Sequence, residues 1–263
     1  VIAGADLGGT KLRILVDGRI VLDVPTGPAT TPAELERHIA GCLPPGTAAL
    51  GIAIPGLVDG DTVVLSDVLP LIGGWRPLAA LGLPGVVLND ASAALAADAV
   101  DLPAGATAGV VMVGTGIGAS FLADGRPLEG AGGHAGELGS IPAGPDGRTL
   151  DQLASGAAIL LASGGTAAAL HARLAAGDAQ AVALVADAGA ALGRGLATLV
   201  NLFNPVRLTL GGGTLRYRGY VEAARAAAEA GSLGELWRAC ELRVAADPDT
   251  LVARGAALSV SRT

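Results

Sequence analysis

The strongest constraint on the fold lies in residues 1–16, Val-Ile-Ala-Gly-Ala-Asp-Leu-Gly-Gly-Thr-Lys-Leu-Arg-Ile-Leu-Val. An apolar run ends in Asp6, two glycines and a hydroxyl residue follow, and a second apolar run begins. This pattern reads as a strand, a tight turn and a second strand. Gly8 and Gly9 let backbone N–H groups approach an anion with no Cβ in the way, and Thr10 adds a hydroxyl donor. Asp6, at a strand end, has the chemistry to hold the water shell of Mg²⁺, which takes few carboxylates and several waters. Lys11 is the only lysine among 17 basic residues. The same residues also describe a plain hairpin with a Gly-Gly turn and a solvated lysine. They form neither a Walker loop nor a G-x-G-x-x-G fingerprint.

Further along, Arg19–Val24 forms a third strand after an Asp17-Gly18 hairpin turn. Thr31, Pro32 and Glu34 start a helix over Pro32–Cys42. Strands follow at Ala48–Ile54, Thr62–Leu65 and Val86–Leu88. A short helical piece covers Pro77–Leu81, and a helix runs from Ala91 to Val100. Ala108–Val113 is a strand ending in Gly114-Thr-Gly-Ile-Gly118, with Ala119–Ala123 and Arg126–Leu128 flanking an Asp124-Gly125 turn. From Asp151 to about Phe203 the pattern is helical and Ala-rich, with breaks near Gly164-Gly165 and Gly177. Val206–Leu210 delivers Gly211-Gly-Gly213. Helices near Tyr220–Ala230 and Leu233–Ala239 precede a strand at Leu242–Val244, and Asp249 is positioned to cap a last helix through Ser261. This is an α/β chain in which the motif strand, glycine turn, strand, hairpin occurs twice, in residues 1–24 and 108–128. Two such halves facing each other would bind one polyphosphate between two loops.

Composition narrows the function. Half the residues are apolar and aromatics make up 2%, so the core is aliphatic. The formal charge is −7, which disfavours nucleic acid as a partner. Cys42 and Cys240 stand far apart with no C-x-x-C, so neither a disulfide framework nor a structural zinc site is expected. No signal segment is evident at the start, and the apolar runs are interrupted by Gly, Asp or Arg. A soluble, cytoplasmic protein with no membrane partner is the expectation.

Four stretches fall at the ends of expected strands: Asp6–Lys11, Asn89-Asp90, Gly114–Gly118 and Gly211–Gly213. Ligands of open α/β sheets gather at strand C-termini. Phosphoryl transfer needs a phosphate cradle, a metal and a group that takes the acceptor's proton. Glycine loops can cradle, Asp6 can serve Mg²⁺ through water, and Asp90 can be the base. Taken alone, Asn89-Asp90 is also an ordinary helix cap.

Eight stretches taken together resemble the ROK family, sugar kinases and sugar-responsive repressors of the actin-like ATPase superfamily. They are Asp6-Leu-Gly-Gly-Thr-Lys11, Gly51-Ile-Ala-Ile-Pro-Gly56, Gly73-Gly-Trp75, Leu88-Asn-Asp-Ala91, Gly114-Thr-Gly-Ile-Gly118, Gly136-Glu-Leu-Gly139, Ala154-Ser-Gly156 and Leu210-Gly-Gly-Gly213. The resemblance implies a two-lobed actin-like (ribonuclease H-like) α/β fold. One lobe would hold residues 1–105 plus 246–263 and the other 106–245, with closure around substrate. It implies that Asp90 is the catalytic base acting on a primary hydroxyl, and that Gly56, Asn89, Glu137 and Asp151 line the acceptor. It also implies that Gly8, Gly9, Thr10 and Lys11, with Gly114, Thr115, Gly116 and Gly118, are two phosphate loops for ATP. Gly211, Gly212 and Gly213 would turn against the adenosine. A homodimer is implied as well.

The departures matter too. Ser140 stands where the family has a histidine that contacts sugar and binds zinc, and residues 141–150 lack the family's cysteines. Asp151 stands where a glutamate grips sugar. Zinc is therefore expected to be absent, and the acceptor to be hexose-like: an amino or acylamino sugar, a hexose or a hydroxymethyl cyclitol. The expectation is thus an ATP-dependent, Mg²⁺-assisted kinase, and its alternative a catalytically silent ROK-like sensor that binds sugar. The family's repressors carry a winged-helix domain that this acidic chain does not show.

Overall fold

The structure is a computed structural model and describes residues 1–144 and 146–261. Of the sequence expectations, Pro145 in the cysteine-free stretch and residues 262–263 of the last lobe segment lie outside the described residues. The chain divides into two compact units, Val1–Leu102 with Glu129–His134 and Ala246–Thr263, and Pro103–Leu128 with Ala135–Ala245.

The first unit opens with β1 (Ile2–Leu7), β2 (Lys11–Val16) and β3 (Arg19–Pro25), followed by α1 (Pro32–Cys42) and β4 (Ala49–Ile54). A small hairpin, β5 (Leu57–Asp59) and β6 (Thr62–Leu65), leads to α2 (Pro77–Leu81), β7 (Gly85–Asn89) and α3 (Asp90–Asp98). The sheet order is β3-β2-β1-β4-β7. β1 and β2 are antiparallel, whereas β4 runs parallel to both β1 and β7. The C-terminal ends of β1 and β7, and with them Asp6 and Asn89-Asp90, therefore share one edge of the sheet. Leu7, Leu12, Ile14, Ile52 and Ile54 build its core. α1 forms as its sequence dictates: Thr31 and Glu34 make a reciprocal capping box, with Pro32 in the first turn.

The second unit contains β8 (Ala108–Val113), β9 (Ile117–Ala123) and β10 (Arg126–Pro127), then α4 (Leu150–Ala154), α5 (Gly156–Ser163), α6 (Ala167–Ala175) and α7 (Ala179–Phe203). It ends with β11 (Arg207–Gly211), α8 (Tyr220–Gly231), α9 (Gly234–Ala239) and β12 (Glu241–Val244). Its sheet order, β10-β9-β8-β11-β12, repeats that of the first unit, with an antiparallel hairpin pair and then parallel strands. The repeat legible in residues 1–24 and 108–128 thus extends to both whole sheets. Among the described residues α7 is the one helix long and apolar enough to cross a membrane. Here it is a core helix: Leu192, Leu196 and Val200 are fully buried, and Gly189 and Gly193 admit the backbone of α8, whose carbonyls at Tyr220 and Ala224 a Cβ would overlap.

Leu57–Asp59, for which the sequence carries no expectation, pairs as a strand with β6. Two expectations are corrected. The helical run from Asp151 is broken at Ser155, which ends α4 and caps α5 by accepting the Ala158 N–H. The final helix, α10 (Leu251–Val260), has Thr250 at its cap position with no side-chain cap, and the Asp249 carboxylate instead faces Lys11 and Arg13. An ion pair across the fold outcompetes a local cap.

α10 returns to the first unit and lies against its sheet through glycines. A Cβ at Gly4 would overlap the Ala253 carbonyl, one at Gly51 the Ala256 carbonyl, and one at Gly255 the Ala93 carbonyl of α3. Backbone carbonyls cannot swing aside, so Gly255→Ala is expected to cost about 2 kcal/mol or more. Gly41→Ala, on the open surface of α1 with nothing within 4 Å, is expected to stabilise by about 0.5 kcal/mol. Urea denaturation of the two variants checks the opposite signs.

Candidate active site

In the first unit the turn after β1 is closed by the Gly8 N–H donating to the Lys11 carbonyl at 2.8 Å. The Gly8 carbonyl accepts the Thr26 hydroxyl at 2.7 Å, and the Thr10 carbonyl accepts the Thr26 N–H at 3.0 Å. The N–H of a trans peptide points opposite to its carbonyl. Tying down the Gly8 carbonyl therefore turns the Gly9 N–H to the other side. Gly9 sits against Val68, which a Cβ would crowd. Thr10 is exposed and Lys11 half-buried, with the Lys11 Nζ 3.5 Å from Asp249.

Asp6 and Asp90 influence each other. The Asp6 carboxyl is raised to about 7, by burial first and the charge of Asp90 second, with Lys11 and Arg13 partly offsetting the rise. Arg13, paired with Asp6 across the β1–β2 ladder, is buried and bonds Asp23 at 2.6 Å as well as Asp249. Burial and a nearby like charge both disfavour the ionised form of Asp6. A hard oxygen donor beside a second carboxylate is a donor set that fits Mg²⁺.

Asn89 and Gly56 come together. The Asn89 amide donates to the Gly56 carbonyl at 3.0 Å, and its Oδ1 accepts the Ala91 N–H at 2.8 Å, capping α3. Gly56 has φ +138, and a Cβ there would overlap the Leu65 carbonyl. Asp90, half-buried, opens α3 and accepts the same Ala91 N–H at 2.8 Å.

The second unit carries the other glycine turn, residues 114–116 between β8 and β9. The Gly114 carbonyl accepts the Gly156 N–H at 2.8 Å and the Thr214 hydroxyl at 3.0 Å. The Thr115 carbonyl accepts the Ala157 N–H at 3.3 Å. With both carbonyls turned to the start of α5, the N–H groups of Thr115 and Gly116 face away from it. Thr115 and Gly116 are exposed, and nothing lies within 4 Å of where a Gly114 Cβ would sit. Outward-facing backbone N–H groups of this kind have the chemistry to hold an anion. Gly118 lies in β9. The Asp151 carboxylate accepts the Ile117 N–H at 2.6 Å, which places this expected acceptor contact on the glycine turn. Gly211 ends β11 beside Met112. Gly212, at φ +103, backs onto the Val113 carbonyl, and Gly213 is exposed with open space beside it. Glu137 is exposed ahead of a 3₁₀ turn at Leu138–Ser140.

Residues 141–144 and 146–150 bond to one another. The N–H groups of Ala143 and Gly144 donate to the Arg148 carbonyl at 2.9 and 3.0 Å, Leu150 N–H donates to the Ile141 carbonyl at 2.9 Å, and Asp146 pairs with Arg148 at 2.7 Å. A segment without imidazole or thiolate does not fit a zinc ion.

Sequence reasoning missed the residues that hold the loops: Thr26, Thr214 and the Ser155-Gly156 start of α5. Only the last has a signal, a serine cap before a helical run.

The profile of the ROK family matches residues 2–263. The bifunctional enzyme NanE/NanK of Brucella melitensis is 35% identical over 248 residues, covering 84% of this chain and 47% of that protein. The chain therefore spans about half the length of that relative. The N-acetylmannosamine kinase of Salmonella typhi is 30% identical over 251 residues, covering 84% of this chain and 86% of that protein. Among solved structures, the ROK hexokinase of Thermus thermophilus is 30% identical with a TM-score of 0.77, over 99% of this chain and 98% of that one.

The raised Asp6 carboxyl has a consequence for stability. It binds its proton more tightly folded than unfolded, so its contribution is full below pH 4 and is lost as pH rises to about 7. Asp6→Asn removes that loss. In metal-free buffer the stability of Asp6→Asn relative to wild type is expected to rise by roughly 2–4 kcal/mol between pH 4 and pH 8. A difference that stays flat across that range, in urea titrations, would contradict the raised Asp6 carboxyl.

Proposed function

The chain belongs to the ROK family, and from that premise we propose that it is an ATP-dependent kinase acting on the primary hydroxyl of a hexose-like acceptor, with acylamino sugars first among the candidates. Its two-lobed, actin-like α/β fold is that of ROK sugar kinases. The observation that carries the reading is that Asp6 and Asp90 stand at the C-terminal ends of strands of one sheet, near enough for the charge of Asp90 to raise the Asp6 carboxyl. The preference for an acylamino sugar is supported by relatives named N-acetylmannosamine kinase.

In this reading Asp90 takes the proton of the acceptor hydroxyl as the oxygen bonds to the γ-phosphorus and the bond to ADP breaks. Asp6 would hold Mg²⁺. Mg²⁺, when bound, neutralises charge on the phosphoryl oxygens. The Gly9 N–H, with Thr10 and Lys11, and the N–H groups of Thr115 and Gly116 hold phosphate oxygens, and Gly211–Gly213 lie along the adenosine. Gly56, Asn89 and Glu137 serve the acceptor. Asn89 keeps one N–H and one oxygen lone pair after its two structural bonds. A stretch 141–150 without imidazole or thiolate supports operation without zinc.

A coupled ADP-release assay with Mg·ATP over N-acetylmannosamine, N-acetylglucosamine, glucose and hydroxymethyl cyclitols tests this. Turnover is expected on an acylamino sugar, with Asp90→Asn lowering kcat by roughly 10³-fold. A zinc-selective chelator added with Mg²⁺ in excess is expected to leave turnover unchanged. Sugar binding by calorimetry with no turnover on any acceptor would favour the silent sensor instead.

A further inference from the structure

Asp151 stands where the family resemblance implies an acceptor contact, yet its carboxylate serves another purpose here. Oδ1 accepts the Ile117 N–H at 2.6 Å, the first amide after the glycine turn 114–116. The carboxylate sits in a slot between two glycines. A Cβ at Gly116 would lie 3.6 Å from both of its oxygens, and a Cβ at Gly139 would collide with it. Gly139 has no left-handed φ to require a glycine, so what its missing Cβ provides is room for the Asp151 carboxylate.

The bond matters because of where Ile117 lies. With its N–H fixed by Asp151, the carbonyl of the same peptide, Gly116, points the opposite way and accepts the Gly114 N–H at 2.9 Å. The turn is thereby closed from the β9 side. The start of α5 and Thr214 close it from the β8 side, through the Gly114 and Thr115 carbonyls. Every carbonyl of the turn is then engaged, and the Thr115 and Gly116 N–H groups are left facing outward. A carboxylate accepting a backbone N–H forms a charge-assisted bond, stronger than a neutral one, which suits a turn that must hold its shape before an anion arrives.

We propose that Asp151 is a positioning residue of the phosphate loop 114–118, acting on nucleotide binding rather than on the acceptor. The inference rests on the kinase reading above, in that it takes this loop to hold nucleotide phosphate. An aspartate fits the slot between Gly116 and Gly139, whereas a glutamate, one methylene longer, does not seat there without displacing one of them.

The test uses calorimetric titration with MgADP in the absence of acceptor, together with steady-state kinetics and amide exchange at Ile117. Asp151→Ala and Gly139→Ala are each expected to weaken MgADP binding about tenfold and to raise the KM for ATP alike, leaving the acceptor KM unchanged. Asp151→Asn keeps an acceptor oxygen and is expected to stay close to wild type in ADP affinity. Ile117 exchange is expected to quicken in Asp151→Ala. Where Asp151→Ala does not fold, Gly139→Ala carries the same comparison. Unaltered ADP affinity with a raised acceptor KM overturns the positioning role while leaving the kinase reading intact. A wild-type protein that does not bind MgADP overturns the kinase reading, and this role with it.

Discussion

The desolvation of the Asp6 carboxyl, with the charge of Asp90 added to it, is the constraint that marks this end of the first sheet. Both carboxylates stand where parallel strands end, because β1, β4 and β7 run side by side in the same direction. Burial, and after it the charge of Asp90, outweighs the nearby cations and holds the Asp6 proton up to about 7. The surrounding cations reduce the cost without cancelling it: Lys11 and Arg13 are drawn partly to Asp23 and Asp249. A protein tolerates such a pair when a ligand relieves it, and perturbed carboxyls of this kind cluster at functional sites.

The two glycine turns solve one problem in the same way. A phosphate needs N–H groups aimed at it, and a peptide presents its N–H only if its carbonyl is held on the other side. Thr26 holds the Gly8 carbonyl in the first unit. The start of α5 and Thr214 hold the carbonyls of the second turn. The glycines supply space, and the direction of the amides comes from their neighbours. That the two sheets share one strand order explains why equivalent turns fall at equivalent strand ends.

Local signals in the sequence were legible almost to the residue. Thr31, Pro32 and Glu34 specify α1, and Pro77–Leu81 and Ala108–Val113 appear with the expected bounds. Glycine turns and strand-end carboxylates were equally visible, because backbone conformation and charge are written in residue type. What stayed hidden depends on partners distant in the chain. Ala154-Ser-Gly156 is visible as a motif, but its task is not, until α5 is seen to turn its first N–H groups to the Gly114 and Thr115 carbonyls. Asp249 reads as a cap until it is found beside Lys11 and Arg13. Gly139 reads as part of a sugar-site motif until the Asp151 carboxylate is found in its slot.

The account stands most directly on what becomes of the γ-phosphoryl group, which ³¹P NMR of a reaction with Mg·ATP and N-acetylmannosamine follows in one experiment. The account predicts a new phosphomonoester, coupled to the methylene protons of the primary alcohol and appearing one for one with ADP. Orthophosphate appearing in its place would show that water, not the sugar hydroxyl, receives the phosphoryl group, and would contradict Asp90 as the base of a sugar kinase.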